Sequence, residues 1–134
     1  MKKYLSLFVS AVVMLLTIAS CVNSNQAIIQ AQAMAANRSC PMEVGNGLTL
    51  TKVEFSGLYV VYNYKGEGLC FNQENVTPEM KVQIIQTLQT QAQNDANTKK
   101  FIEALKKEHV GIIYHYYNGS GMIMDVVIEA RDLL

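Results

Sequence analysis

The 134-residue sequence has no tryptophan, two prolines, three cysteines and two histidines, and charged side chains make up only 16% of it. Each shortage excludes something. Eleven basic residues are balanced by eleven acidic ones with no basic patch among them, so the chain lacks an electrostatic footprint for nucleic acid or anionic lipid. The cysteines have no Cys-x-x-Cys partner, and two of them alone do not make a zinc site; no metal or other cofactor is expected. The GxSxG, HExxH, phosphate-loop and dinucleotide fingerprints are all missing, and no catalytic residues are assigned. No apolar run reaches the roughly 20 residues that a membrane-spanning helix requires.

What is present begins at the start of the chain. Lys2 and Lys3 precede an uncharged, apolar stretch from Tyr4 to Ala19, which ends in Ile18-Ala19-Ser20-Cys21. A basic start, a short apolar region and small residues describe an export signal. The last four residues resemble the bacterial lipobox. That resemblance implies a signal peptide over 1–20, cleavage before Cys21 and acylation of its thiol, so that Cys21 anchors the protein to the bilayer. Two or more acyl chains are needed for stable anchoring. Rival readings are an uncleaved anchor and an ordinary signal cut near Ala33 or Ala36. Valine after the cysteine, with no aspartate there, implies by the same resemblance an outer-membrane address facing the periplasm. Residues 21–26 then form a lipidated tether and 27–134 a single domain, large enough to bury its own core.

With Cys21 acylated, Cys40 and Cys70 remain. A disulfide between them would close a loop of about 30 residues and add about 3 kcal/mol. The alternatives are two buried thiols or one reactive thiol.

Along the domain, "AIIQAQAMAANRS" predicts a helix of about three turns, stopped by Pro41. Gly45 and Gly47 mark a loop. "LTLTKVEF" (48–55) and "LYVVYNY" (58–64), separated by Ser56-Gly57, predict a hairpin. "LCFNQENV" (69–76) is a short edge strand or a loop. Thr77-Pro78-Glu79 starts a second helix with Val82, Ile85, Leu88 and Ala92 on its inner face. That helix breaks near Asn94 or Asp95, and a further segment carries Phe101, Ile102 and Leu105. "GIIYHYY", the turn "NGSG" and "MIMDVVIEA" make a second hairpin. The fold class expected is α+β: helix–hairpin–helix–hairpin, with a four-stranded antiparallel sheet covered by helices on one face.

The two hairpins echo each other. At an offset of 52, Val60-Val61-Tyr62-Asn63-Tyr64 aligns with Ile112-Ile113-Tyr114-His115-Tyr116. If the two strands run in the same sense, Tyr62, Tyr64, Tyr114 and Tyr116 share one face. They could form an aromatic surface for a small molecule, peptide or glycan, or simply suit a half-buried strand. His115 points the other way, near Asp125 if the turn has three residues; an even-length turn centred on Gly119-Ser120 sets Met124 opposite instead. A His–Asp pair can orient a general base, but no serine or cysteine is placed beside it as nucleophile.

Residues 35–64, "AANRSCPMEVGNGLTLTKVEFSGLYVVYNY", resemble a set of small exported proteins of Bacteroides-type bacteria. Their Asn-x-x-Cys-Pro stretch is matched by Asn37, Cys40 and Pro41, the loop glycines by Gly45 and Gly47, and a Val-x-Tyr-like strand by Val61-Tyr62. The resemblance implies compartment and fold, and no catalytic residues. The function expected is a membrane-anchored envelope lipoprotein acting as a binding, accessory or inhibitor module with an envelope protein as partner. It is not expected to be an enzyme. The alternatives are a ligand binder using the tyrosine face and, behind it, a thiol-dependent enzyme.

Overall fold

The computed structural model describes residues 24–45, 47–66, 78–119, 121 and 123–133. The expected signal, Cys21, Cys70 and the 69–76 segment lie outside the described residues.

Helix α1 (Asn25–Arg38) starts where the Ser24 hydroxyl accepts the Ala27 N–H at 3.1 Å, capping one of the orphan donors of the first turn. Ile28, Ile29, Gln32, Ala33 and Ala36 recur at helical spacing and face inward. The chain turns at a cis Cys40–Pro41 bond. Strands β1 (Met42–Gly45), β2 (Leu48–Phe55) and β3 (Tyr59–Gly66) follow as a meander. Helix α2 (Pro78–Asn94) passes through Asp95, the N-cap of α3 (Ala96–Glu108), into β4 (Gly111–Tyr117), β5 (Ile123–Ile128) and a final 3-10 turn (Ala130–Leu133).

These strands form one five-stranded sheet in the order β1-β2-β3-β4-β5. It is mixed: β3 and β4 are parallel, and the other neighbours are antiparallel. The α+β class stands, but four antiparallel strands become five with a parallel pair at the junction of the two halves. The cause is the connection. Neighbouring parallel strands need a crossover of a dozen or more residues, and the segment from Gly66 to Gly111, with α2 and α3 in it, supplies one. The fifth strand, β1, lies where glycines suggest only a loop; its four residues and its register shift between Glu43 and Gly45 give too little alternation to read.

Among the described residues, the three helices cover one face. Their inward side chains and those of β2 to β5 make a single buried cluster, and no outward sheet residue belongs to it. The breakpoint at Asn94–Asp95 is where the sequence suggests. The inner face of α2 is so in part: Leu88 is buried and Ile85 and Ala92 pack against the core, but Met80 and Ile84 are buried as well and Val82 is 50% exposed. Both rows fit a helical repeat, and the one carrying Met80 and Ile84 turns inward.

Candidate functional site

Alternation along the strands, combined with the register, sorts the uncovered face into cross-strand rows. One row runs Glu54–Val61–Ile113–Val127, and the next Lys52–Asn63–His115–Asp125. A third holds Thr49, Lys65 and Tyr117. The first is aliphatic at its centre, with Val61 and Ile113 half-buried and Val127 36% exposed. The others are polar and aromatic.

A β-bulge shapes the polar half. The register between β2 and β3 slips between Leu50 and Lys52, leaving Thr51 as the extra residue. The Thr51 hydroxyl donates to the Asn63 carbonyl at 3.1 Å and lies 2.9 Å from the Tyr117 hydroxyl. A hydroxyl has one hydrogen, so Tyr117 is the donor in the second bond. The Asn63 amide nitrogen donates to the Lys52 carbonyl at 3.2 Å. Lys52 pairs with Glu54 at 2.6 Å, and His115 Nδ1 is hydrogen-bonded to Asp125 Oδ1. The loop from 118 to 122 is odd in length, so His115 meets Asp125 and Tyr116 meets Met124. The rings of His115 and Tyr117 lie 5.8 Å apart at 31°.

Together Thr51, Lys52, Asn63, His115, Tyr117 and Asn118 line an open cleft of about 410 Å³. At the other end of the face the Tyr59 hydroxyl donates to both Glu129 carboxylate oxygens, at 2.8 and 3.0 Å. That bond to a carboxylate raises the tyrosine pKa.

The four tyrosines expected as a binding surface are elsewhere. Tyr62 pairs with Tyr114 and Tyr64 with Tyr116 in the parallel register, and their rings stack in a ladder with centroid separations of 5.3 to 6.4 Å. They share a face, but it is the helix-covered one, and none is more than 1% exposed. The aromatic-surface expectation is therefore corrected to an aromatic core. Each ring removes roughly 150–250 Å² from water, and a helical layer is what makes that possible. Burial also pushes all four phenol pKa values up.

Cys40 sits at the end of α1 with a free thiol whose Sγ–H donates to the Ala36 carbonyl at 3.3 Å. Burial raises its pKa, the opposite of what an activated nucleophile needs. The nearby Asn37 ties α1 to the sheet, since its side-chain oxygen accepts the Val53 N–H at 3.0 Å, beyond the last β1–β2 pair at Leu50. His115 has its orienting carboxylate, yet no serine or cysteine is among the described lining of the cleft. No cluster of three or more His, Cys, Asp or Glu suited to a metal occurs among the described residues, and no described helix is long and apolar enough to cross a membrane.

Of the described functional candidates, His115 alone lines the cleft. Thr51, Lys52, Asn63 and Tyr117 escape a reading centred on tyrosine number. Asn63 and His115 share the offset of 52, and this parity was a signal for the open face; the bulge that turns Thr51 outward left none.

No family model matches the chain, and no curated protein does. Among solved structures, the chain is similar to the pilotin EpsS of the type 2 secretion system of Vibrio vulnificus. The two superpose with a TM-score of 0.50 at 14% sequence identity, over 82% of this chain and 91% of that one. What they share is the fold.

Proposed function

We propose that this chain is a lipid-anchored accessory module of the bacterial cell envelope that works by holding a protein partner and not by catalysis. The observation that carries this reading is the two-faced sheet. One face is sealed by three helices over the tyrosine ladder. The other presents the aliphatic row Val61–Ile113–Val127 beside a polar row, the mixture of apolar centre and polar rim that protein interfaces use. The fold shared with a secretion-system pilotin supports an accessory role. So does the Cys40 thiol, whose pKa burial raises.

In this reading Cys21 carries the acyl chains, the protein sits on the outer membrane facing the periplasm, and the uncovered sheet face docks an envelope protein as its accessory or inhibitor. Two experiments test it. Palmitate labelling in cells is expected to vanish in Cys21→Ser, and labelling that persists ends the anchor assignment. A photo-crosslinking residue at Ile113 or Val127 is expected to capture one envelope protein at near-stoichiometric yield, whereas the same residue at Met34 on α1 is not. Equal capture from both positions, or none from Ile113 and Val127, overturns the docking face.

A further inference from the structure

We infer that the cleft at the polar end of the uncovered sheet face is a binding site for a neutral, hydroxyl-rich ligand, a glycan of one or two sugar rings.

Charge comes first. Of the ionisable groups in the described lining, Lys52 and His115 already face carboxylates: Glu54 at 2.6 Å, and Asp125. A charged ligand would have to compete with a partner in place, while a neutral one would not. The hydrogen-bonding valences agree. Thr51 spends its hydrogen on the Asn63 carbonyl and receives that of Tyr117, which leaves the Tyr117 oxygen able to accept a further hydrogen bond. With Nδ1 turned to Asp125, His115 keeps Nε2 for a hydrogen bond to a ligand. Asn63 keeps one N–H and its carbonyl oxygen after donating to the Lys52 carbonyl. Donors and acceptors held side by side on planar groups are what vicinal hydroxyls require, since each hydroxyl both gives and takes.

The rings supply the rest. Tyr117 and His115, 5.8 Å apart and tilted by 31°, make an apolar floor, and the negative face of an aromatic ring attracts the C–H groups of a sugar ring. A cleft of about 410 Å³ lies toward the small end of the roughly 300–1,000 Å³ usual for ligand sites. The binding energy is held in groups that are already oriented by one another, so little ordering is required on binding. The site shares Lys52, Asn63 and His115 with the polar row beside the aliphatic one, but it is argued from those residues' own bonds and does not depend on a protein partner.

The test is amide NMR of the full chain in a phosphocholine detergent, which carries no sugar, titrated with cellobiose and N,N′-diacetylchitobiose, and with glucuronate and putrescine as charged probes. Saturable shifts are expected from a neutral disaccharide at Thr51, Asn63, His115 and Tyr117. Affinity should fall about tenfold or more in Tyr117→Ala and in Asn63→Ala, and less in Tyr117→Phe, which keeps the ring. Should Tyr117→Ala unfold, Asn63→Ala carries the same test from a partly exposed position. The inference is overturned if neither disaccharide saturates, if a charged probe binds as well, or if binding survives Asn63→Ala unchanged. Failure here leaves the photo-crosslinking result untouched, and the two readings fall separately.

Discussion

Tyr62 and Tyr114 lie side by side in register on the parallel strands β3 and β4, with ring centroids 5.5 Å apart, planes 19° from parallel and each residue 1% exposed. The pair joins the two halves of the sheet beneath the helices. Among the described residues neither hydroxyl has a hydrogen-bond partner, so this pair holds the fold through its rings and in spite of its oxygens.

That separation can be measured. Burying a hydroxyl without a partner costs about 1–3 kcal/mol in proteins, so Tyr62→Phe and Tyr114→Phe are each expected to leave stability unchanged or raise it by about 1 kcal/mol. Tyr62→Ala should lose about 3–5 kcal/mol through the cavity it leaves. Urea midpoints of the three variants decide; a large loss in both phenylalanine variants would mean that the hydroxyls are bonded.

Gly111 opens β4 directly opposite Tyr59. A Cβ there would stand 2.6 Å from the Ile128 carbonyl oxygen and 2.8 Å from the Tyr59 ring. The backbone oxygen cannot step aside without disturbing the β4–β5 ladder. Gly111→Ala is therefore expected to destabilise by about 1–3 kcal/mol, read from thermal unfolding. A neutral outcome would place more room at the strand start than the structure has.

His109 ends α3 in the left-handed region at φ 55°, where the next N–H, that of Val110, returns to the Leu105 carbonyl at 2.9 Å. Glycine suits that position without the Cβ conflict. His109→Gly should stabilise the protein by about 0.5–1 kcal/mol, and His109→Val should do the reverse. Equilibrium denaturation of the two variants gives the sign.

Acid should loosen the end of the chain. The Asp132 carboxyl is held below the usual carboxylate range, chiefly by its hydrogen bond from Lys81 on α2 at 3.0 Å and also by the Glu129 N–H at 2.9 Å. A carboxyl whose folded pKa is depressed contributes stability above the unfolded value of about 3.9 and loses it as the pH falls through the folded value. Melting temperatures measured from neutral to acid pH should therefore drop less steeply in Asp132→Asn, which begins lower at neutral pH. Identical slopes would remove Asp132 from the linkage.

The offset of 52 between the two tyrosine strands was visible in the sequence, and it became a physical fact: Val60 pairs with Ile112, Tyr62 with Tyr114 and Tyr64 with Tyr116. A repeat of that kind does not reveal which face is covered. The same alternation that puts four tyrosines together also puts Asn63 and His115 together on the other side, and composition favoured the tyrosines as the feature to follow. The His115–Asp125 pair was legible only as far as the turn length, because an even turn would have set Met124 opposite His115.

Local chemistry was enough for the helix breaks at Pro41 and Asn94–Asp95, for the alternating strands β2 to β5 and for the α+β class, since capping, proline and period-two alternation act within a few residues. The parallel junction, the fifth strand and the inward row of α2 came from tertiary structure, since each depends on where a segment far along the chain comes to rest. The cleft belongs with them. Its central bond joins Thr51 to Tyr117 across 66 residues, through a bulge whose position is set by pairing between strands and not by the residues within one.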